Sequence, residues 1–430
     1  MKVLIVSHTV ISRTNNMGKT VLSYFRAFDK TELAQFYFHN MVPEESGICV
    51  NYYRFTDKDA LRALLPGRER GRVFTEADMA KPVPAETTGA DAGLYHLGAR
   101  RTSGVYFARN LLWSTGRWKT AALRKWICDF APDVVFFMSG DYAFMYDVAC
   151  WAAEIANAPL VLSCVDDYYT NNVNAGSWLG RAVYRGYMRT VRRTMDRCAG
   201  IFAICDSMSR CYSQMFGVPC HTLHTAAARR ELALAPGARQ VSYIGNLILG
   251  RNEQLAAMGR ALLSLGLEDC PYIDVYSGET DSAITACLTE ENGIRFHGSI
   301  PPEEVLQVMA RSRAVIHTES FDPTMVERVR YSVSTKIAES LMYGPCLIAY
   351  GPEGIASMDY LKENKAAYCI TSPDTLAAGL REVLTDSALR GEILTRARNL
   401  AERNHSEDAN PKKLRQWLQE IVDGAKGQTE

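Results

Sequence analysis

Patterns typical of buried strands alternate with patterns typical of amphipathic helices along almost the whole chain, and this alternation restricts the fold more than any other feature. Short apolar runs such as 2–7 and 133–138 indicate strands that are covered on both faces. Alternating strands and helices are typical of parallel sheets flanked by helices. The pattern ends near 224 and restarts at 240–245. The sequence therefore predicts an α/β protein with two Rossmann-like, doubly wound domains facing a cleft.

The two series predict an N-terminal domain at 1–230 and a C-terminal domain at 231–407. Residues 62–104 are rich in Arg, Gly and Pro and lack periodicity, so we expect a long loop there. Further strands are predicted at 160–164, 200–204, 219–224, 272–276, 293–297, 314–318 and 346–350. Helices are predicted at 19–28, 117–129, 143–156, 178–198, 206–216, 252–265, 302–311, 335–343, 373–385, 387–404 and 410–424.

Composition restricts the compartment and the class of protein. The chain has 430 residues, of which 47% are hydrophobic, as expected for a globular protein of two or three domains. Its twelve cysteines form no C-x-x-C pair, which argues against a zinc site and a disulfide framework and favours the cytoplasm. No segment has the pattern of a membrane span or a signal peptide. We predict no metal, no cofactor and no nucleic-acid partner.

The zero net charge conceals a difference between the two halves. Residues 1–230 contain 28 Lys and Arg against 20 Asp and Glu, and residues 231–430 contain the reverse. One basic and one acidic half suggest different functions, or attraction across a cleft.

The segment 331–350 carries the most information about function. Ser334 and Thr335 are residue types that cap helices, and they precede a short amphipathic pattern that ends at Gly344. Free N–H groups at a helix start attract anions, and Lys336 adds a positive charge in the first turn. Glu339 follows one turn later on the same face. This spacing suits a nucleotide, with phosphate at the cap and a sugar hydroxyl at the carboxylate. An ordinary helix with solvated side chains fits the spacing equally well.

Two glycine-containing loops also open helices. Gly245 follows a strand and precedes Arg251, which could neutralise a diphosphate or could simply be a solvated arginine at a helix start. Gly18-Lys-Thr precedes the first helix, but a P-loop requires a glycine where Arg13 stands. Gly18 can still allow close approach of an anion to the helix start.

Polar residues follow several predicted strands, where a ligand cleft is expected. Glu319 follows 314–318, and His8, Asp141 and Asp166 follow strands of the first domain and are candidates for contacting an acceptor. A structural role for His8 and a turn-capping role for Asp166 remain alternatives. Glu327 lies eight residues after Glu319, but only Glu339 is followed by a glycine and a strand, so Glu339 is preferred.

A basic stripe lies on the predicted helix 178–198. It consists of Arg181, Arg185, Arg189, Arg192 and Arg193. Both an interfacial helix and an ordinary solvated helix face fit this pattern. The stretch that contains Trp113, Trp118 and Trp126 adds some support to membrane contact.

These segments together resemble the group 1 glycosyltransferases, which have the GT-B fold. The resemblance rests on Met17-Gly18, Gly245 to Arg251, His297-Gly298, Glu319 and the run Ser334-Thr335-Lys336 to Glu339 and Gly344. It implies that the second domain binds a nucleotide sugar and that the configuration of the sugar is retained. It also implies that a helix within about 408–430 packs back onto the first domain.

The resemblance further implies roles for single residues. Glu339 would bind the ribose hydroxyls, while Arg251, Lys336 and the Ser334–Thr335 cap would bind the diphosphate. Glu319 would contact the donor sugar, and Gly18 would approach the phosphates from the other domain. The chain departs from the family pattern at Ser320 and Asp322, where the family has glycine, and at Asn246, where it often has arginine.

The function predicted from the sequence is metal-independent hexosyl transfer from a nucleotide-diphospho-sugar to an acceptor hydroxyl. Polysaccharide biosynthesis is the expected setting, with a saccharide or lipid-linked acceptor and contact with the inner face of the cell membrane. One alternative is a nucleotide-sugar epimerase of the same architecture, which needs no acceptor. The other is a protein that binds a nucleotide sugar without turning it over.

Overall fold

The computed structural model describes residues 1–13, 16–44, 47–65, 70–79, 102–171, 176–235 and 237–427. The chain forms two compact units. Unit 1 comprises Met1–His224 together with Asn410–Glu430, and unit 2 comprises Thr225–Ala409. The boundaries expected from the sequence lie at 230/231 and 407/408.

Unit 1 is built on one sheet, which has eight strands within the described ranges. The strand order is β4-β3-β2-β1-β5-β6-β7-β8, and all neighbours are parallel except β3 and β4. The strands are β1 (Val3–Ser7), β2 (Leu33–Tyr37), β3 (Tyr52–Arg54), β4 (Arg72–Phe74), β5 (Val134–Met138), β6 (Leu160–Cys164), β7 (Cys198–Ala203) and β8 (Cys220–Thr222). Every residue of β1, β2, β5 and β6 is buried, as expected for strands with helices on both faces.

The helices of unit 1 begin at short polar side chains in several places. Thr120 and Ser177 each accept a hydrogen bond from a backbone N–H of the first turn, which satisfies one otherwise unpaired donor. The helices are α1 (Asn16–Tyr24), α2 (Asp57–Arg62), α3 (Glu76–Met79), α4 (Ser103–Ser114), α5 (Ala121–Phe130), α6 (Ala143–Ala156), α7 (Trp178–Met195) and α8 (Asp206–Phe216).

Unit 2 has a parallel sheet in the order β11-β10-β9-β12-β13-β14, with six strands in the described part of the chain. The strands are β9 (Gln240–Ile244), β10 (Ile273–Tyr276), β11 (Ile294–Gly298), β12 (Ser312–Thr318), β13 (Cys346–Tyr350) and β14 (Tyr368–Ile370). The helices are α9 (Arg251–Ser264), α10 (Ser282–Thr285), α11 (Pro302–Arg311), α12 (Pro323–Val329), α13 (Thr335–Met342), α14 (Ala356–Glu363), α15 (Leu376–Thr385) and α16 (Ser387–Asn404). This is the Rossmann strand order, and its direction reverses between β9 and β12.

The C-terminal helix α17 (Ala409–Gly427) packs on unit 1. Its buried residues Leu414, Leu418 and Val422 belong to the same apolar cluster as β1. At the edge of this contact Arg415 donates to both carboxylate oxygens of Glu32, at 2.6 and 2.7 Å. Arg415 and the N-terminal amine therefore hold the pKa of Glu32 down at about 2.

Several expectations about unit 1 are corrected by the structure. The predicted loop 62–104 contains β4 and α3, while its residues 66–69 and 80–101 lie outside the described ranges. Helix α4 was not expected at all. Trp113, Trp118 and Trp126 are buried in the core, so they give no support to membrane contact. None of the helices in the described ranges combines the length and apolar composition needed to cross a bilayer.

We expect Arg415→Ala to lower the free energy of unfolding by about 1 kcal/mol at neutral pH, because it removes a bidentate but partly solvated pair. Glu32 has a lowered pKa in the folded state, so the pair stabilises above the ordinary value of 4.5 and loses its effect as the pH falls towards about 2. Urea unfolding at neutral and acidic pH measures this difference. An equal loss at both pH values would contradict the assignment.

Candidate functional site

A cavity of about 140 Å³ lies in unit 2 where the strand order reverses. Open α/β sheets bind ligands at such a point because the loops that follow the two central strands diverge there. The cavity wall is contributed by β9, β12, β13, α9, α11, α13 and the residues next to them. It consists of Tyr243, Ile244, Asn246, Arg251, Val305, Met309, Val315, Ile316, His317, Ser334, Lys336, Ile337, Glu339, Ser340 and Leu347.

The start of α13 faces this cavity with its first turn uncapped by a side chain. Ser334 is the N-cap residue, as the sequence predicts, but its hydroxyl makes no capping hydrogen bond. Ser334, Lys336 and Glu339 all line the cavity. Tyr343 lies one turn beyond Glu339, and burial together with the nearby Glu339 carboxylate raises the pKa of this tyrosine.

Arg251 and the buried Glu319 form an ion pair that joins the loops after β9 and β12. Arg251 Nη2 lies 2.8 and 2.9 Å from the two oxygens of Glu319, and Nε lies 3.1 Å from Oε2. The second terminal nitrogen, Nη1, donates to the Asn246 side chain at 2.5 Å. Burial by itself would lower the pKa of Arg251, but Glu319 outweighs burial and raises it. The guanidinium thus stays charged and is fixed in orientation.

Two glycines allow this close packing of loops. Gly250 precedes Arg251 with φ of +74°, and a Cβ there would lie 2.8 Å from Ser320 Oγ. A Cβ at Gly351 would lie 3.1 Å from the Glu319 carbonyl oxygen. Larger residues at either position would push the loops apart and strain the Arg251–Glu319 pair.

Glu319 has only 3% of its surface exposed, and it does not line the cavity itself. Its second neighbour is His317, whose Nε2 lies 3.7 Å from Oε1 and 3.0 Å from Ser357 Oγ. Burial lowers the pKa of His317, so the imidazole is neutral at neutral pH. In this structure Glu319 therefore acts on Arg251 and is not open to a ligand.

Lys336 provides the positive charge of the cavity that Glu319 does not neutralise. It is exposed at the start of α13, and a Cβ on Gly245 would lie 3.0 Å from its Nζ. Surrounding protein atoms lower the pKa of Lys336, and repulsion from Arg251 adds to this effect, whereas Glu339 opposes it. An anion placed next to Nζ would relieve both unfavourable contributions.

The remaining candidates of unit 2 are Thr335 and Gly245, which do not line the cavity. Thr335 is exposed at the first position of α13 and is not part of the cavity wall. Gly245 lies next to Lys336 and Tyr243, and a side chain there would meet the Tyr243 hydroxyl at 2.7 Å. Gly245 therefore keeps the space in which Lys336 Nζ lies.

The acceptor candidates of unit 1 follow three adjacent strands. His8, Asp141 and Asp166 come after the carboxyl ends of β1, β5 and β6. Asp141 accepts a hydrogen bond from the Tyr106 hydroxyl, and the His8 ring lies 6.4 Å from the ring of Tyr142. The structure thus places these residues at the carboxyl ends of neighbouring strands in the sheet.

Gly18 has a structural explanation within unit 1. It lies in α1, and a Cβ there would be 2.7 Å from both the backbone nitrogen of Ser12 and the carbonyl oxygen of Val10. The close approach of the loop after β1 to this helix requires glycine. A role in phosphate binding remains a prediction.

Several residues of the cavity region were not identified as site residues from the sequence. They include Tyr243, Asn246 and His317, which line the cavity, and Tyr343, which lies near Glu339. Asn246 follows β9 and His317 lies near the end of β12, so their place at the carboxyl ends of strands is a usable signal. Tyr243 and Tyr343 carry no such signal, because their sequence context is that of ordinary core residues.

A comparison with family models matches residues 272–418 to the model described as "Glycosyl transferase-like". This segment includes Glu319, Lys336 and Glu339. Comparison with curated proteins finds no match.

Solved structures with the same fold match nearly the whole chain. Anabaena HepE in complex with UDP has 13% identity and a TM-score of 0.63, with 98% of this chain and 100% of that chain covered. The α,α-trehalose 6-phosphate synthase of Burkholderia multivorans has 11% identity and a TM-score of 0.60, with 100% and 98% covered. Sucrose-phosphate synthase of Thermosynechococcus elongatus has 10% identity and a TM-score of 0.58, with 99% and 100% covered.

The predicted fold class is confirmed, since each unit is a doubly wound α/β unit and the fold is that of GT-B glycosyltransferases. The matched family model covers residues 272–418, which overlap the part of the chain that carries most of the resemblance to group 1 glycosyltransferases.

We expect Glu319→Ala to lower the free energy of unfolding by about 3 kcal/mol, because it leaves the largely buried Arg251 charge unpaired. Glu327→Ala is the matched control, since Glu327 is exposed and only approaches Arg330 at 4.0 Å. Denaturant unfolding of both variants measures the difference. If Glu319→Ala lowered the free energy of unfolding no more than Glu327→Ala, the ion pair would make no contribution to stability.

Proposed function

We propose that this protein is a glycosyltransferase that binds a nucleoside-diphosphate sugar in the unit 2 cavity and transfers the sugar to an acceptor hydroxyl. The observation that carries the proposal is the convergence of Arg251, Lys336 and Glu339 on one cavity at the reversal of strand order. Two helix starts without side-chain caps, those of α9 and α13, accompany these charges. Such a combination suits a diphosphate next to a hydroxylated ring.

Each group then has a chemical role. Lys336 and the N–H groups at the start of α13 bind the diphosphate, which gains negative charge as its bond to the sugar breaks. Arg251 contributes further N–H donors, oriented by Glu319 and Asn246. Glu339 accepts hydrogen bonds from the ribose hydroxyls. Because protein cations neutralise the leaving group, the proposed reaction needs no metal. The proposal includes retention of the configuration of the transferred sugar, as the family resemblance implies.

The first donor to test is UDP-glucose. Structures of HepE are described in complex with UDP and with UDP-glucose, and a trehalose-6-phosphate structure from E. coli is described with UDP-2-fluoro glucose. These neighbours share the fold at low sequence identity, so they suggest a first donor to test but do not identify the sugar that is transferred. Other UDP-, GDP- and ADP-sugars belong in the same panel.

The acceptor is proposed to meet His8, Asp141 and Asp166 at the carboxyl edge of the unit 1 sheet. A saccharide or lipid-linked acceptor in polysaccharide biosynthesis fits the excess of basic residues in the first 230 residues, because anionic lipid surfaces attract such a segment. Peripheral contact with the inner face of the cell membrane is part of this proposal.

We expect Lys336→Ala and Glu339→Ala each to reduce donor turnover by about 100-fold, since each removes a group that contacts the leaving nucleotide. Release of nucleoside diphosphate from the donor panel, followed by chromatography in the presence of a chelator, measures the effect. Arg381→Ala, an exposed arginine on α15 of the same unit, is the control and should keep the full rate. Near wild-type rates in both site variants would remove the proposed site.

The same assay separates the alternatives. An epimerase would convert the donor to an isomeric nucleotide sugar without any acceptor. A non-catalytic binding protein would bind the donor in calorimetry and leave it intact with every acceptor. Glycosyl transfer predicts slow hydrolysis of the donor alone and faster release when a suitable acceptor is present.

We expect binding of UDP at alkaline pH to take up protons. The pKa of Lys336 is below its ordinary 10.5, so part of the lysine is neutral there, and an adjacent diphosphate raises its pKa again. Calorimetry in two buffers of different ionisation enthalpy detects the uptake as a difference in apparent enthalpy. Lys336→Met should abolish this difference, and an equal difference in that variant would contradict the contact.

A further inference from the structure

Helices α4 and α7 of unit 1 pack side by side and begin at the same place. Ser103, the first residue of α4, and Ser177, the N-cap of α7, lie with their hydroxyl oxygens 3.3 Å apart. The N-terminal parts of the two helices, including Phe107 and Trp178, therefore belong to one region of the unit 1 surface.

The exposed face of α4 is uncharged, which is unusual for a helix on a protein surface. Its inward side buries Tyr106 and Trp113. On the other side Phe107 and Leu111, which lie one turn apart, are 49% and 59% exposed. Gly104 and Ala108 are also exposed on this helix. Two large apolar side chains thus stand open to solvent on one stripe.

Helix α7 adds an exposed tryptophan and a row of arginines. Trp178 is 75% exposed at the first position of the helix. Arg181, Arg185 and Arg189 follow at helical spacing and are exposed. No acidic residue occurs between 178 and 195.

The arginines of this row differ in how they are held. Arg193 pairs with Asp147, and Arg192 donates to the Tyr169 hydroxyl, so these two arginines are held by contacts within unit 1. Arg185 and Arg189 form no ion pair with any residue in the described ranges. Their charges are therefore available to an external anion.

We propose that Phe107, Leu111, Trp178, Arg185 and Arg189 form a docking surface, here called the α4–α7 surface, for an anionic lipid bilayer. Tryptophan with apolar neighbours favours the boundary between head groups and acyl chains, and adjacent arginines contact lipid phosphates. Together these groups match the chemistry of a membrane surface better than that of a soluble polyanion, which has no place for Phe107, Leu111 and Trp178. The inference rests on the proposed peripheral membrane contact and assigns it to this surface.

The test is flotation of the full-length protein with vesicles of phosphatidylcholine alone and with added phosphatidylglycerol. We expect binding that requires phosphatidylglycerol and weakens at high salt. Trp178→Ser with Phe107→Ser, and Arg185→Glu with Arg189→Glu, should each reduce the partition coefficient by about tenfold or more.

Two matched controls lie in unit 2, where Leu234→Ser replaces an exposed leucine and Arg381→Glu reverses an exposed arginine. Both controls should bind like the wild type. Circular dichroism and thermal unfolding establish that the α4–α7 variants are folded.

Three results would overturn the proposal. One is failure of the wild type to bind phosphatidylglycerol vesicles, and another is equal loss in the unit 2 controls. The third is tight binding to soluble polyglutamate that the tryptophan and phenylalanine changes leave intact, which would indicate a soluble anionic partner instead.

Donor hydrolysis in vesicle-free solution separates this proposal from the proposed function. The α4–α7 variants should hydrolyse UDP-glucose, or whichever donor the panel identifies, at the wild-type rate. Hydrolysis without vesicle binding would reject only the α4–α7 surface. Vesicle binding by a protein that turns over no donor would reject only the proposed reaction.

Discussion

The ion pair between Arg251 and Glu319 joins the two loops on which the unit 2 cavity depends. These loops follow β9 and β12, which are neighbours in the sheet although their pairing residues lie about seventy positions apart in the sequence. The pair is bidentate and largely buried, and Gly250 and Gly351 leave room for it. A buried pair of this kind is stable only when both charges are present, so it holds the two loops in one arrangement.

This arrangement has an electrostatic consequence for the cavity. Because Glu319 balances Arg251, the uncompensated positive charge belongs to Lys336, with Glu339 one helical turn away. Burial and the nearby Arg251 lower the pKa of Lys336, whereas Glu339 opposes this effect. The start of α13 without a side-chain cap adds N–H donors of the same polarity next to this lysine.

The sequence predicts those parts of the fold that local patterns determine. Strands such as Val134–Met138 and Cys346–Tyr350 are continuous apolar runs, because helices cover both faces of the parallel sheets. Strand β2 was missed, since it carries the buried Gln35, whose side chain is satisfied only by tertiary contacts with Ser7, Thr9 and Ile11. Helix α4 was missed because its apolar residues lie on both its buried and exposed sides.

The site shows the same limit. Arg251, Lys336 and Glu339 were identified because each stands near a helix start or one turn beyond it, where local chemistry points to an anion. The direct pairing of Arg251 with Glu319 could not be read from residues 68 positions apart.

A crystal structure of the protein with UDP tests the central claim most directly. We expect the diphosphate within hydrogen-bond distance of Lys336 Nζ, at the start of α13, and the ribose hydroxyls on the carboxylate of Glu339. A nucleotide bound elsewhere, with Lys336 and Glu339 both free of it, would contradict the proposed donor site.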